Sequence, residues 1–252
     1  MYFPHFLEGV SMQIFAHRGY SSKYPENTLA AFQAAAKLDI TGVELDVHLT
    51  KDRELVVIHD EKINRTSNGK GFVKDMTLKE LRKFDFGSWF HKNFRGEKIP
   101  TLAEVLDLFK DTHHKINIEL KSDKLIYPGL EEMVLKEVEN FRLKDRVIIS
   151  SFDHEAVKRM VGLAPDIESA PLFSYSILNM KWYRTLFPAK ALHVAYRAVA
   201  RRPVLEAIKA GIPVRVYTIN NKEQVEVLRH LGVEGIFTDC PEEMNEMLKQ
   251  PK

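Results

Sequence analysis

Nine short runs rich in β-branched and aliphatic residues alternate with longer amphipathic stretches, and this alternation narrows the possible fold more than any other feature of the chain. The runs lie at 13–17, 41–48, 54–59, 115–121, 146–151, 168–173, 191–195, 213–219 and 234–238. Between most of them stand helical patterns, at 28–38, 101–110, 130–141, 154–163 and 222–231. Asn27 or Thr28 offers an N-cap to the first of these, and Gly232 ends the last. Repeated strand–helix units build a parallel sheet covered by helices. No linker rich in glycine, serine or proline and no internal repeat divides the 252 residues, so a single α/β domain is expected, a TIM-type (β/α)8 barrel. Nine runs are one too many for such a barrel, and the link from 48 to 54 is too short for a crossover helix. One run near 41–59 or at the C-terminal end therefore falls outside the regular barrel.

Two of the runs carry charge where a barrel interior is ordinarily aliphatic. In GVELDVHL, Val43, Leu45, Val47 and Leu49 alternate with Glu44, Asp46 and His48. In KINIELK, Ile116, Ile118 and Leu120 alternate with Asn117, Glu119 and Lys121. Successive strand side chains point to opposite faces, so each strand has one apolar and one polar face. In an exposed sheet the polar face would be solvated, but parallel strands are usually covered on both sides. The apolar face then packs on the helices and the acidic face points into the barrel. Carboxylates buried there without partners cost several kcal/mol each. Glu44, Asp46 and Glu119 converging from two strands make a site for one hard divalent cation, Ca²⁺ or Mg²⁺, which prefers oxygen ligands. Lys121 on the same face favours an anionic, phosphate-containing substrate.

Two further runs end in histidine, at His17 followed by Arg18, and at His59. Barrel active sites sit at the C-terminal ends of the strands, so all four features can meet in one pocket. His5, His91, His113 and His114 read as surface or structural. Residues 60–100 interrupt the alternation with a polar, turn-rich segment followed by Phe84, Phe86, Trp89, Phe90 and Phe94. A stretch of this length inside a domain reads as an insertion packed beside one end of the barrel.

Composition narrows the partners. With 37 basic and 35 acidic residues the formal charge is +2, which gives no electrostatic case for nucleic acid. Cys240 is the only cysteine, so no intrachain disulfide forms, as suits a reducing compartment. The first eleven residues lack a secretory pattern, and no stretch reaches the roughly 18 apolar residues of a membrane span. A cytoplasmic protein without stable membrane insertion is expected, with residues 1–11 as an extension ahead of a catalytic domain at 12–252.

The chain resembles the glycerophosphodiester phosphodiesterase family in AHRGYSSKYPENTLAAF, GVELDVHLTKDRELVVIHD, NRTSNGKG, IELK, ISSFD, VYTIN and GIFTD, from about residue 13 to the C-terminal end. The resemblance implies a β/α barrel with a small insertion after the HD motif, and it makes His17 and His59 the catalytic acid and base; His17 as base and His59 as acid is the reading taken, though the sequence does not separate the two roles. It makes Glu44, Asp46 and Glu119 the metal ligands, and Arg18 and Lys121 the cations that bind phosphate. Phe152 and Tyr217, at strand ends, are expected to line the pocket; Tyr217 stands where the family often has tryptophan. The implied reaction is metal-dependent hydrolysis of glycerophosphodiesters, such as glycerophosphocholine or glycerophosphoethanolamine, to glycerol 3-phosphate and an alcohol. The first nucleophile is either water or the glycerol 2-hydroxyl. A related barrel phosphodiesterase acting on lysophospholipids is the alternative, and the aromatic insertion would then supply an apolar channel. A non-catalytic phosphate-binding barrel would lack at least one of the two histidines or three carboxylates, and all five are present.

Overall fold

A computed structural model describes residues 12–186 and 188–249; the expected extension at 1–11 lies outside them. The strands are β1 Gln13–Ala16, β2 Gly42–Leu49, β3 Leu55–Val57, β4 Lys115–Leu120, β5 Val147–Ser151, β6 Glu168–Phe173, β7 Leu192–Ala195, β8 Val214–Tyr217 and β9 Gly235–Thr238. The helices are α1 Leu29–Ala35, α2 Leu78–Leu81, α3 Leu102–Phe109, α4 Leu130–Asn140, α5 His154–Leu163, α6 Met180–Tyr183, α7 Tyr196–Val199, α8 Arg202–Lys209, α9 Lys222–Leu231 and α10 Pro241–Lys249. Thr28, rather than Asn27, caps α1 through its side chain. Gly232, in the left-handed region, ends α9.

Eight strands run parallel and close into a barrel, because β1 pairs with β9 on one side and with β2 on the other. The ninth, β3, pairs antiparallel with β2 and stays outside the ring. That settles which run is not a barrel strand: the short link after β2 turns the chain back on itself, as a hairpin allows and a parallel crossover does not.

The alternation in β2 and β4 is used as expected. Val43, Leu45, Val47, Leu49, Ile116, Ile118 and Leu120 join one large apolar cluster with helix residues such as Phe32, Leu106, Phe109 and Val134. The opposite faces therefore point inward. The parallel register sets Glu44 beside Asn117 and Asp46 beside Glu119. Inside the barrel, Phe15, Ile148 and Phe237 form a small apolar layer against which Tyr217 packs. Residues 60–100 enclose their own core, with Ile63, Val73, Leu81, Phe86 and Ile99 packed on the outer face of β3 through Val56 and Ile58. Phe94 rests on Tyr24, which joins this segment to the loop after β1.

Candidate active site

Ala16 pairs with Val43, so His17 and Arg18 leave β1 at the level of the β2 carboxylates. Arg18 takes a left-handed backbone conformation, φ 57°, and its amide donates to Glu44 Oε2 at 2.8 Å. Gly19 follows with φ 78°, and a side chain there would lie 2.8 Å from the Ala31 carbonyl carbon. Only glycine permits both that turn and that closeness to α1. Its presence after His17 and Arg18 is thus a packing requirement that directs the two side chains back over the barrel mouth.

Glu44, Asp46 and Glu119 present carboxylate oxygens within 4.8 Å of one another; Glu44 and Asp46 are buried and the Glu119 side chain is 12% exposed. Asn27 donates to Asp46 Oδ2 at 2.8 Å, and Lys121 donates to Glu119 Oε1 at 2.8 Å. Asp46 Oδ1 is buried with no hydrogen-bond partner. Burial, then the neighbouring Asp46 and Glu119, raises the Glu44 carboxyl well above its ordinary pKa. Glu119 is pushed up to about 7 by burial, with Lys121 opposing and Asp46 adding to the shift. Asp46 lies lower than usual, because Arg18 and Lys121 outweigh the effect of its burial. Fully ionised, these three carboxylates would carry more negative charge than Arg18 and Lys121 offset; burial and its two neighbours therefore drive Glu44 toward protonation, and one Asp46 oxygen has no hydrogen-bond partner among the described residues. That is the donor chemistry of a hard divalent cation, and these residues fit one.

The two strand-end histidines flank this cluster, and a carboxylate grips each. His17 Nδ1 lies 2.7 Å from Asp239 Oδ1. Ser21 and Asn220 also donate to Asp239, at 2.9 and 2.6 Å. Against the cost of burial, these bonds and the His17 ring hold the Asp239 carboxyl down at about 2. His59 Nδ1 lies 2.7 Å from Asp60 Oδ1, and Arg65 Nε donates to the other Asp60 oxygen at 2.8 Å. Burial lowers the pKa of His59, opposed by Asp46 and assisted by Arg18 and Lys121. Because both Nδ1 positions are engaged, both rings have Nε2 left for a ligand.

Arg18 donates to Glu26 at 2.7 Å, and Glu26 also takes two bonds from Arg65, at 2.7 and 2.8 Å. Arg65 thereby ties the segment after β3 to the loop that precedes α1. Phe152, just after β5, and Tyr217, ending β8, meet edge to face with centroids 6.0 Å apart. A cavity of about 280 Å³ opens beside His17, lined by Arg18, Ser21, Glu26, Asn220, Asp239 and Cys240. His113 and His114 stand elsewhere, stacked on each other, with His114 Nε2 at the Leu38 carbonyl.

Sequence reasoning missed several members of this arrangement. Asp239 closes the GIFTD stretch and Asp60 the IHD stretch, and the sequence alone assigns neither a part. The strand-end position of each was the available signal. Glu26, Asn27 and Arg65 sit in the quoted PENT and NRTSNGKG stretches, where nothing local indicates their partners. His48 lies on the inward face of β2, fully buried. Its Nε2 is 3.2 Å from the His59 carbonyl and its Nδ1 2.9 Å from the Tyr127 hydroxyl. A carbonyl only accepts, so Nε2 carries the proton and Tyr127 donates to Nδ1. Burial pushes the His48 pKa down to about 4, which keeps the ring neutral, as this pairing requires.

A family model described as the glycerophosphoryl diester phosphodiesterase family matches residues 17–243. The glycerophosphodiester phosphodiesterase of Caldanaerobacter subterraneus subsp. tengcongensis is 42% identical over 238 residues, covering 94% of this chain and 98% of that one. Its counterpart from Bacillus altitudinis is 44% identical over 233 residues, covering 91% and 95%. Among solved structures, an Oleispira antarctica phosphodiesterase in complex with the product sn-glycerol-3-phosphate superposes with a TM-score of 0.85. It is 30% identical, covering 94% of this chain and 97% of that one. This chain is a member of the glycerophosphoryl diester phosphodiesterase family.

Proposed function

We propose that the protein hydrolyses glycerophosphodiesters such as glycerophosphocholine and glycerophosphoethanolamine to glycerol 3-phosphate and an alcohol, with His17 and His59 as the acid–base pair. The observation that carries this reading is the buried Glu44, Asp46 and Glu119 cluster flanked by two carboxylate-anchored histidines with free Nε2 atoms. The product bound to the Oleispira antarctica relative supports the glycerol 3-phosphate side of the reaction.

A phosphodiester resists attack because its anionic oxygens repel the nucleophile. A cation held by Glu44, Asp46 and Glu119, Ca²⁺ or Mg²⁺, would supply the Lewis acidity that neutralises this charge. Arg18 and Lys121 add charge-assisted hydrogen bonds to the same oxygens. One histidine Nε2 takes the proton of the nucleophile, water or the glycerol 2-hydroxyl, and the other gives a proton to the departing alcohol. Asp239 and Asp60 hold the rings in place and stabilise whichever is charged. Each proton transfer is worth about 10² to 10⁴-fold. Phe152 and Tyr217 form an aromatic wall for the substrate. The reaction belongs to lipid and glycerol metabolism in the cytoplasm, performed by a single catalytic domain at 12–252 into which 60–100 is inserted.

Release of glycerol 3-phosphate from glycerophosphocholine tests the assignment. His17→Ala and His59→Ala each lower turnover by about 10² to 10⁴-fold while the protein still folds and binds the cation. Near-normal turnover by either variant overturns it.

A further inference from the structure

The exposed apolar side chains are unevenly distributed. Among the described residues, the large hydrophobic side chains most open to solvent are Trp89, Ile126, Leu163, Tyr175, Leu178, Trp182, Leu186 and Val227. Half of these fall within twelve residues, and Leu178 is 98% exposed, Tyr175 69%, Trp182 58% and Leu186 51%. They belong to the segment that leaves the C-terminal end of β6, the end of the barrel at which the carboxylates and histidines gather. The segment is held in place. Met180 is fully buried, Asn179 caps α6 by accepting from the Trp182 amide at 2.8 Å, and Arg197 donates to the Ser174 carbonyl at 2.8 Å. Arg197 also lies over the Tyr175 ring, 4.1 Å from its centroid, and is near enough to Tyr217 for its charge to act on that phenol. The apolar rim is thus a fixed border of the site.

Its charge has one sign. No aspartate or glutamate occurs between Glu168 and Glu206, although the whole chain is close to neutral. In the same interval lie Lys181, Arg184, Lys190, Arg197, Arg201 and Arg202. Lys190 bonds to the Asp166 carbonyl at the far end of the barrel, and Arg202 pairs with Glu206. Lys181, Arg184, Arg197 and Arg201 have no carboxylate partner among the described residues.

We propose that the rim formed by residues 175–186 and Arg197 docks the protein peripherally on an anionic phospholipid surface, with the barrel mouth at the edge of the contact. Exposed tryptophan, tyrosine and leucine suit the boundary between head groups and acyl chains, and unpaired lysine and arginine suit a negative leaflet. Lysine and arginine stems let the charges reach the phosphates while Leu178 and Trp182 enter the boundary. A second copy of the chain is the poorer occupant, because a symmetric contact would set two basic rims against each other. The proposal does not rest on the reaction assigned above, and it concerns attachment rather than the choice of substrate.

Co-sedimentation of the full chain with phosphatidylcholine vesicles, with and without phosphatidylglycerol, tests it. Binding is expected to the phosphatidylglycerol vesicles and to weaken as salt is raised. In a Trp89→Phe background the emission of Trp182 shifts to shorter wavelength on binding. The double variant Leu178→Ser with Trp182→Ser binds at least about tenfold more weakly with an unchanged melting transition, and Lys181→Ala alone loses about fivefold. The proposal is overturned if the wild type stays in the supernatant at low salt, if the double variant binds as tightly as the wild type, or if the wild type is a dimer that the double variant dissolves without lipid.

Discussion

Both ends of this barrel bury charge inside a ring of strands, and they do so in different ways. At the end where the strands begin, Arg215 is 1% exposed and bonds to Glu168, to Glu234 at 2.7 Å and to Gln13 at 3.0 Å, with the Phe15 ring beside it. Its two carboxylate partners keep about a quarter of their side chains open to solvent. At the mouth, Glu44, Asp46 and Glu119 crowd together with two cations, and one buried oxygen has no hydrogen-bond partner among the described residues. Phe15, Ile148 and Phe237 separate the two. An ion network whose carboxylates still reach solvent is a structural plug, whereas one whose carboxylates are almost wholly withdrawn from water is built for something that arrives. That contrast, more than the presence of carboxylates, points to the cation.

The contrast can be broken most decisively at the mouth. Glu44→Gln should lower turnover by at least about 10²-fold through loss of cation binding, measured as glycerol 3-phosphate release. The same change should raise the melting temperature of the cation-free protein, because it removes a carboxyl whose charge burial, Asp46 and Glu119 oppose in the folded state. A lower melting temperature would show that the three carboxylates are not in conflict. At the other end, Arg215→Met should cost about 3 kcal/mol of folding free energy in denaturant titration and leave turnover per folded molecule unchanged. Loss of turnover in proportion to loss of the mouth variants would merge the two ends into one system.

The smallest effect comes from His48, which belongs to neither network. Its ordinary value of 6.5 applies in the unfolded chain, and about 4 applies in the folded one. Between those values the unfolded state takes up a proton that the folded state refuses, so stability is complete above pH 6.5 and falls as pH drops toward 4. At pH 5 this amounts to about 2 kcal/mol. His48→Gln, whose amide can still donate to the His59 carbonyl, should show a flatter dependence of unfolding free energy on pH across that window. An equally steep slope would remove His48 as its source.

Much of the fold was legible because strand periodicity and burial are local properties. The inverted alternation in β2 and β4 placed Glu44, Asp46, Glu119 and Lys121 on one interior face, and the structure brings them together. The role of β3 was not legible, since three apolar residues, Leu55 to Val57, read the same in a parallel or an antiparallel partner. Asp239 was missed for a different reason. It meets His17 across 222 positions of sequence, and only closure of β9 onto β1 makes them neighbours. Arg65 likewise finds Glu26 only because the inserted segment folds back over the first loop. Helix α8 was not foreseen either; its buried Val204 and Ala207 give a short pattern behind a proline.

The central claim, that the mouth is incomplete without a cation, is tested most directly by anomalous scattering from crystals equilibrated with Mn²⁺ as a stand-in for Mg²⁺ or Ca²⁺. The account predicts one strong peak bounded by Glu44, Asp46 and Glu119, and none beside Glu168 and Glu234. Carboxylates turned away from one another with no peak between them would contradict it.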